Sequence, residues 1–236
     1  MTLRVSVIVP AYNEEATILQ ILREIRKQSV DGVQFEVIVV DDGSRDNTVA
    51  LLEGHSNLYN KLIKQPKNGG KGAAVLAGLR AASGDYILFQ DADLEYSPSH
   101  YAALLFPVQN FGAQIVMGSR FLAAQYTRVQ FYWHKVGNSV ITRIFNALFN
   151  TTFTDIFTCY LLYRRDLLNP DELISTGWEQ HAEILCRVVP RAMIIYEVPV
   201  SYQGRTYEEG KKIMARHAIP VILTIIRRRM FPSARK

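Results

Sequence analysis

Residues 5–28 read VSVIVPAYNEEATILQILREIRKQ, and two periodicities meet in them. Val5-Ser6-Val7-Ile8-Val9 is apolar and β-branched almost without a break, the pattern of a strand covered on both faces. Pro10-Ala11-Tyr12-Asn13-Glu14 interrupts it with polar and turn-forming residues. From Glu14 to Gln28, Ile18, Leu19, Leu22 and Ile25 then recur at helical spacing. A doubly buried strand feeding an amphipathic helix is the opening unit of an α/β protein with a mostly parallel sheet.

The same alternation continues downstream. Strands are predicted over 35–40, 61–63, 86–90 and 114–117, with helices over 47–53, 72–82 and 97–110 between and after them. The second half is less regular. A helix is expected over 135–150, a strand entered through 154–165, a helix over 178–189, a strand over 192–198 and a helix over 213–229 that contains Pro220. The expected fold is therefore a Rossmann-like sheet with helices on both faces, in which ligands bind at the carboxyl ends of the strands.

Bulk properties agree with one globular unit. The chain has 236 residues and 48% hydrophobic content, enough for a sizeable core. Two cysteines without a CxxC pair form neither a disulfide framework nor a zinc site and suit a reducing compartment. No secretory leader pattern is visible, so a cytoplasmic location is expected. The net charge of +5 is uneven: eight of the 27 Lys and Arg lie from Lys211 onward, where there is no acid. The rest of the chain is mildly acidic, which argues against nucleic acid and toward an anionic membrane surface for the tail.

Four polar clusters fall at predicted strand ends: Pro10 to Glu14, Asp41-Asp42-Gly43-Ser44, Asp91-Ala92-Asp93 and Gly118-Ser119-Arg120. Asp91 and Asp93, with Glu95 as a third ligand, suit a hard divalent cation such as Mg²⁺ or Mn²⁺, which prefers carboxylate and phosphate oxygens. Either Asp41 or Asp42 suits a base edge or ribose hydroxyl, the other a turn cap, and Tyr12 and Glu14 offer a stacking face and a ribose acceptor. Asn68-Gly69-Gly70-Lys71-Gly72 lacks phosphate-loop spacing, so close backbone approach or tight helix entry is the expected use of its glycines, with Lys71 near a phosphate. Arg120, Arg205 and Lys211 are candidates for phosphate binding. The five histidines show no metal-ligand spacing and read as structural or surface residues.

VPAYNEE, VVDDGSRDNT, NGGKGAA, FQDADLEY and GSRF, in this order, resemble inverting family-two glycosyltransferases of the GT-A fold. TDIFTCYLLYRR, GWEQHAEIL and VPVSYQGRTYEEGKK resemble the dolichol-phosphate mannose synthase and bacterial polyprenyl-phosphate branch. The resemblance covers about residues 3 to 213. It implies that Pro10, Tyr12, Glu14, Val40 and Asp42 hold a donor nucleotide, with Asp91 and Ala92 beside its ribose and diphosphate. It implies Asp93 as main metal ligand with Asp91 and Glu95 as partners, and Arg120, Arg205 and Lys211 facing donor or acceptor phosphates. Asp155 and Glu183 match acidic positions on the acceptor side and are the candidate bases for a hydroxyl acceptor. The implied reaction moves a hexose from a GDP- or UDP-sugar to a polyprenyl phosphate, an acceptor already ionised near neutral pH, or else to a saccharide hydroxyl. Leu161, where relatives often carry a basic residue, and Ile213 to Ala218, where they often continue Trp-Lys-Asp-Gly, depart from the pattern on the acceptor half.

The implied organisation is a domain over 1–212, with a nucleotide-sugar half to about 120 and an acceptor half after it, followed by a basic amphipathic helix over 213–236. Ala218 to Ile226 is apolar but far short of the ~20 residues that span a bilayer, so peripheral contact with a membrane face is expected. An aspartyl-phosphate phosphatase also places DxD at a strand end, but it would carry that motif near the N-terminus. A non-catalytic nucleotide-sugar binder is disfavoured by the intact Asp91 and Asp93.

Overall fold

The structure is a computed structural model that describes residues 2–122, 132–204 and 218–231. Its centre is a seven-stranded sheet in the order β3-β2-β1-β4-β6-β5-β7. The strands are β1 (Leu3–Ala11), β2 (Val33–Asp41), β3 (Lys61–Lys64), β4 (Tyr86–Phe89), β5 (Ile115–Ser119), β6 (Leu161–Arg164) and β7 (Ile195–Pro199). The helices are α1 (Ile18–Arg26), α2 (Thr48–Glu53), α3 (Lys71–Ala81), α4 (Tyr101–Phe111), α5 (Tyr132–Phe149), α6 (Gln180–Val188) and α7 (Ala218–Met230).

Residues 5–9 form the middle of β1 and are fully buried. The strand is paired in parallel on both sides, to β2 and to β4. The chain first winds outward from β1 to β2 and β3, then returns to place β4 on the other side of β1. That reversal is a topological switch point, where strand ends diverge and leave a crevice at their carboxyl edge. β1 and β2 end level, with Ala11 opposite Asp41, whereas β4 ends earlier, with Phe89 opposite Ile8.

One strand departs from expectation. β6 runs antiparallel between β4 and β5. Leu161, Leu162 and Tyr163 are all buried, and a strand covered on both faces reads the same in either direction. Its direction was therefore not encoded in its pattern.

Buried polar groups brace the sheet. Glu36 of β2 accepts from Ser6 Oγ, Ser83 N and Ser83 Oγ and pairs with Arg4 and Lys61. Burial opposes its charge, but these partners prevail and hold the carboxyl down to about 2.

The last described helix, α7, packs on α5 and α6. Val221 and Ile225 face inward, while Ile219, Leu223, Ile226 and Met230 are solvent-exposed along the helix. Apolar residues thus occupy both faces, unlike a simple apolar-in, polar-out helix. None of the described helices is long and apolar enough to cross a membrane.

Candidate functional site

Three parallel strands deliver their polar ends to one cleft with a cavity volume of about 190 Å³. Pro10, Tyr12 and Glu14 come from the end of β1, Asp42 from the end of β2, and Asp91, Ala92, Asp93 and Glu95 from the end of β4. Lys71 enters from the start of α3. Nine residues singled out in the sequence therefore meet here. Val40 does not: it packs with Ile38 and Ala74 between β2 and α3 and is fully buried.

The two acids at the end of β2 take different partners. Asp41 Oδ2 accepts from the Gly43 and Ser44 N–H groups and closes the turn. Asp42 reaches across to the glycine loop and accepts from Gly69 N and Gly70 N, both at 2.9 Å. Burial raises the Asp42 carboxyl above its ordinary value, the two glycine N–H groups oppose this, and Asp41 adds to it.

The glycine loop is used for close approach, as its composition suggested. Gly70 has φ +90°, a left-handed conformation that favours glycine. Gly72 N donates to Thr176 O at 2.8 Å, and a Cβ on Gly72 would lie 2.4 Å from the Thr176 carbonyl carbon. Gln180 donates to Gly72 O at 2.6 Å and completes the clamp. The 176–180 segment thereby fixes the entry of α3 and the position of Lys71.

Lys71 Nζ donates to Asp91 Oδ1 at 2.5 Å and lies 5.4 Å from the centroid of the Trp178 ring. Burial works against both charges, yet each stabilises the other. The Asp91 carboxyl is held below the usual carboxylate range, and the Lys71 ammonium is raised above its own.

Asp91, Asp93 and Glu95 share the cleft, but the three-carboxylate set expected around one cation is not preassembled. Among the described residues no three acidic, His or Cys side chains converge into a metal cluster. The reason is local: Lys71 holds Asp91, Asp93 Oδ1 accepts from Glu95 N at 3.1 Å, and Glu95 Oε2 accepts from Tyr202 Oη at 3.0 Å. The donor set nonetheless remains one of hard oxygens facing one space, which fits Mg²⁺ or Mn²⁺.

Gln90 stabilises this turn from beneath. It is fully buried, donates to Asp91 O and Tyr96 O at 3.2 Å, and accepts from Tyr101 and Tyr160 hydroxyls at 2.9 Å. Asp91 N also donates to Cys159 Sγ at 3.2 Å.

A second cavity of about 290 Å³ adjoins the first. The two share Pro10, Lys71, Asp91, Glu95, Trp178 and Tyr202 as a common wall. Val75, Ile141, Phe157, Ile184 and Val221 make much of the second cavity apolar, and Trp133 and Ala218 line it from α5 and α7.

Arg120 lines this second cavity, but its guanidinium is committed. It donates to Asp155 bidentately, Nε to Oδ2 at 2.6 Å and Nη2 to Oδ1 at 2.8 Å. Asp155 is fully buried and also accepts from Arg120 N and Phe157 N. Glu183 is fully buried as well, and accepts from Ile174 N, Ser175 N, Arg187 and Arg228. Glu183 lines neither cavity. Both acids, the candidate bases for a hydroxyl acceptor, thus stand as partners in buried ion pairs. Arg205 and Lys211 lie outside the described residues.

Three further residues at the site carried no predicted role. Trp178 stacks under Lys71, Tyr202 holds Glu95 and lies beneath the Arg120 guanidinium at 5.0 Å, and His181 lines the second cavity. Tyr202 reaches the site through a bridge to Tyr96, a tertiary pairing with no local signal.

The model of the family described as Glycosyl transferase family 2 matches residues 6–170. Among curated relatives, a dolichol-phosphate mannosyltransferase of Pyrococcus furiosus is 29% identical over 89% of this chain and 59% of its own length. An undecaprenyl-phosphate 4-deoxy-4-formamido-L-arabinose transferase of Proteus mirabilis is 28% identical over 88% of this chain and 62% of its own. The chain thus spans less than two thirds of these relatives. Glucosyl-3-phosphoglycerate synthase of Mycobacterium tuberculosis, solved with Mn²⁺, uridine diphosphate and phosphoglyceric acid, superposes with a TM-score of 0.73. At 23% identity, covering 98% of this chain and 80% of that one, this likeness establishes the fold.

Proposed function

The chain belongs to glycosyl transferase family 2, and from that premise we propose that it moves a hexose from a UDP- or GDP-sugar to a polyprenyl phosphate. The observation that carries this reading is the pair of joined cavities: a polar cleft at the sheet switch point opens into a largely apolar one across a wall containing Lys71 and Asp91. The first has the chemistry of a nucleotide diphosphate site, the second that of an ionised head group with a prenyl chain behind it. The lipid phosphates in the names of the two curated relatives point the same way.

In this reading Tyr12, Glu14, Asp42 and the Asp42-braced glycine loop hold the nucleotide, with Pro10 and Ala92 shaping the floor. Asp93 is the main carboxylate for Mg²⁺ or Mn²⁺, with Asp91 and Glu95 beside it. A bound divalent ion neutralises charge developing on the leaving diphosphate. Lys71 sits where it can exchange Asp91 for a donor phosphate oxygen. The acceptor phosphate is an oxyanion near neutral pH and attacks the anomeric carbon without a base, so alignment is what the protein must supply. Asp155 and Glu183 then act by holding Arg120 and α7 in place. Arg205 and Lys211 remain assigned to the phosphates from the resemblance alone.

Membrane access has structural support. Tyr132 and Trp133 of α5 and Ile219 and Leu223 of α7 are strongly exposed, and both helices line the second cavity. Arg227 and Arg229, also exposed, suit anionic head groups at the end of α7. This supports peripheral attachment with the acceptor cavity facing the bilayer.

A thermal-shift panel of UDP- and GDP-sugars with Mg²⁺ or Mn²⁺ tests the donor side. One nucleotide series raising the Tm only with metal present is the expected result. No shift with any donor would overturn the reading.

A further inference from the structure

The residues lining the second cavity include one buried polar atom without a hydrogen-bond partner among the described residues, His181 Nε2. Three of the cavity's other polar groups are engaged. Lys71 is paired with Asp91, Arg120 with Asp155, and the Gln180 amide with Gly72 O. A neutral imidazole carries one N–H and one lone pair, and a buried ring nitrogen left unpaired is costly. His181 itself is partly exposed at that cavity, so turning the ring would bring this nitrogen to a ligand that completes it.

The surroundings narrow the ligand. His181 lines the apolar cavity but not the nucleotide cleft, so the group that meets it belongs to the acceptor. Asp91, Asp155, Lys71 and Arg120 all act electrostatically on the ring, two of each sign. Burial and then Lys71 hold its pKa down to about 4, with the two carboxylates opposing. The imidazole is therefore neutral and adds a directed donor where the charges already balance in pairs.

Resting on the polyprenyl-phosphate reading, we infer that His181 donates its Nε2–H to an oxygen of the acceptor's phosphate and orients that group toward the donor sugar. It is a substrate-binding residue of the acceptor cavity. The apolar wall at Ile184 and Val221 continues away from it as the seat of the first prenyl units.

Binding can be read without turnover by titrating farnesyl phosphate and farnesol against the protein and following Trp178 fluorescence at the cavity wall. Wild type should bind farnesyl phosphate more tightly than farnesol. His181→Ala should weaken farnesyl phosphate by about ten-fold to a hundred-fold, the loss of one hydrogen bond to a charged group. Farnesol affinity and the Mn²⁺-dependent nucleotide shift should stay unchanged. His181→Gln, which keeps an N–H donor, should recover part of the loss, and circular dichroism verifies that both variants are folded. Wild-type affinity in His181→Ala, or equal losses for farnesyl phosphate and farnesol, would overturn the assignment. Failure of the wild type itself to bind farnesyl phosphate would instead remove the proposed acceptor, and this assignment with it.

Discussion

Replacing Asp155 with Asn separates a buried structural anchor from a catalytic base. The carboxylate accepts four hydrogen bonds: from Arg120 Nε and Nη2, from Arg120 N at 3.2 Å and from Phe157 N at 3.1 Å. An amide keeps one acceptor oxygen and turns its NH₂ toward groups that are themselves donors. Arg120, with only 8% of its side chain exposed, loses its counter-charge. Removing one partner of a buried pair costs roughly 3–5 kcal/mol. The Tyr202 and Phe121 rings at 5.0 and 5.6 Å still favour the cation, so the lower end of that range applies. At about 2–4 °C per kcal/mol for a chain of this size, Tm should fall by roughly 10 °C. The double variant Asp155→Leu with Arg120→Met should recover most of the loss, because an apolar pair of similar volume often matches a buried ion pair. Thermal unfolding followed by circular dichroism reads both effects. A wild-type Tm in Asp155→Asn, together with lost turnover, would refute this reasoning and restore Asp155 as a base.

Other perturbations follow from the same geometry. Glu36 is held down to about 2 from an ordinary 4.5, so its contribution is present above the unfolded value and is lost as pH falls from about 5 toward 2. Allowing for its half-exposed partners Arg4 and Lys61, that contribution is about 2 kcal/mol, and Glu36→Gln should flatten the acid limb of a stability–pH curve; an unchanged limb would exclude it. Gly72→Ala should cost about 1–3 kcal/mol and raise the donor KM, because the added Cβ meets the Thr176 backbone; an unaltered Tm and KM would show the clamp to be slack. Sedimentation with anionic vesicles should pull down the full chain but not one ending at Lys212, and equal binding would dismiss α7 as a membrane element.

Much of the site was legible because strand ends and chemistry coincide. Val5 to Val9 can only be a doubly buried strand, so the polar residues after it had to sit at the sheet edge, and the same logic located Asp42 and Asp91. The glycines of 69–72 were legible as a close approach, though not what they approach, since Thr176 is far along the chain. Illegible features were those fixed by tertiary pairing. Arg120 looked like a site group because it is a charge at the end of a core strand and Asp155 because of the resemblance alone, and nothing in either position reveals that they neutralise one another across 35 residues. Glu183 shows the opposite limit: one acid on an amphipathic helix gives no sign that Arg187 and Arg228 both reach it. His181 read as a structural or surface residue because its cavity is built by α5, α6 and α7 together.

The most direct measurement is transfer itself. Labelled UDP- and GDP-sugars are incubated with the protein, Mn²⁺ and undecaprenyl phosphate in vesicles, and the lipid is extracted. Label should enter the organic phase from one nucleotide series, vanish with EDTA, and vanish in a folded Asp93→Asn variant. Label that stays aqueous with every donor, or an Asp93→Asn variant as active as wild type, would contradict the account.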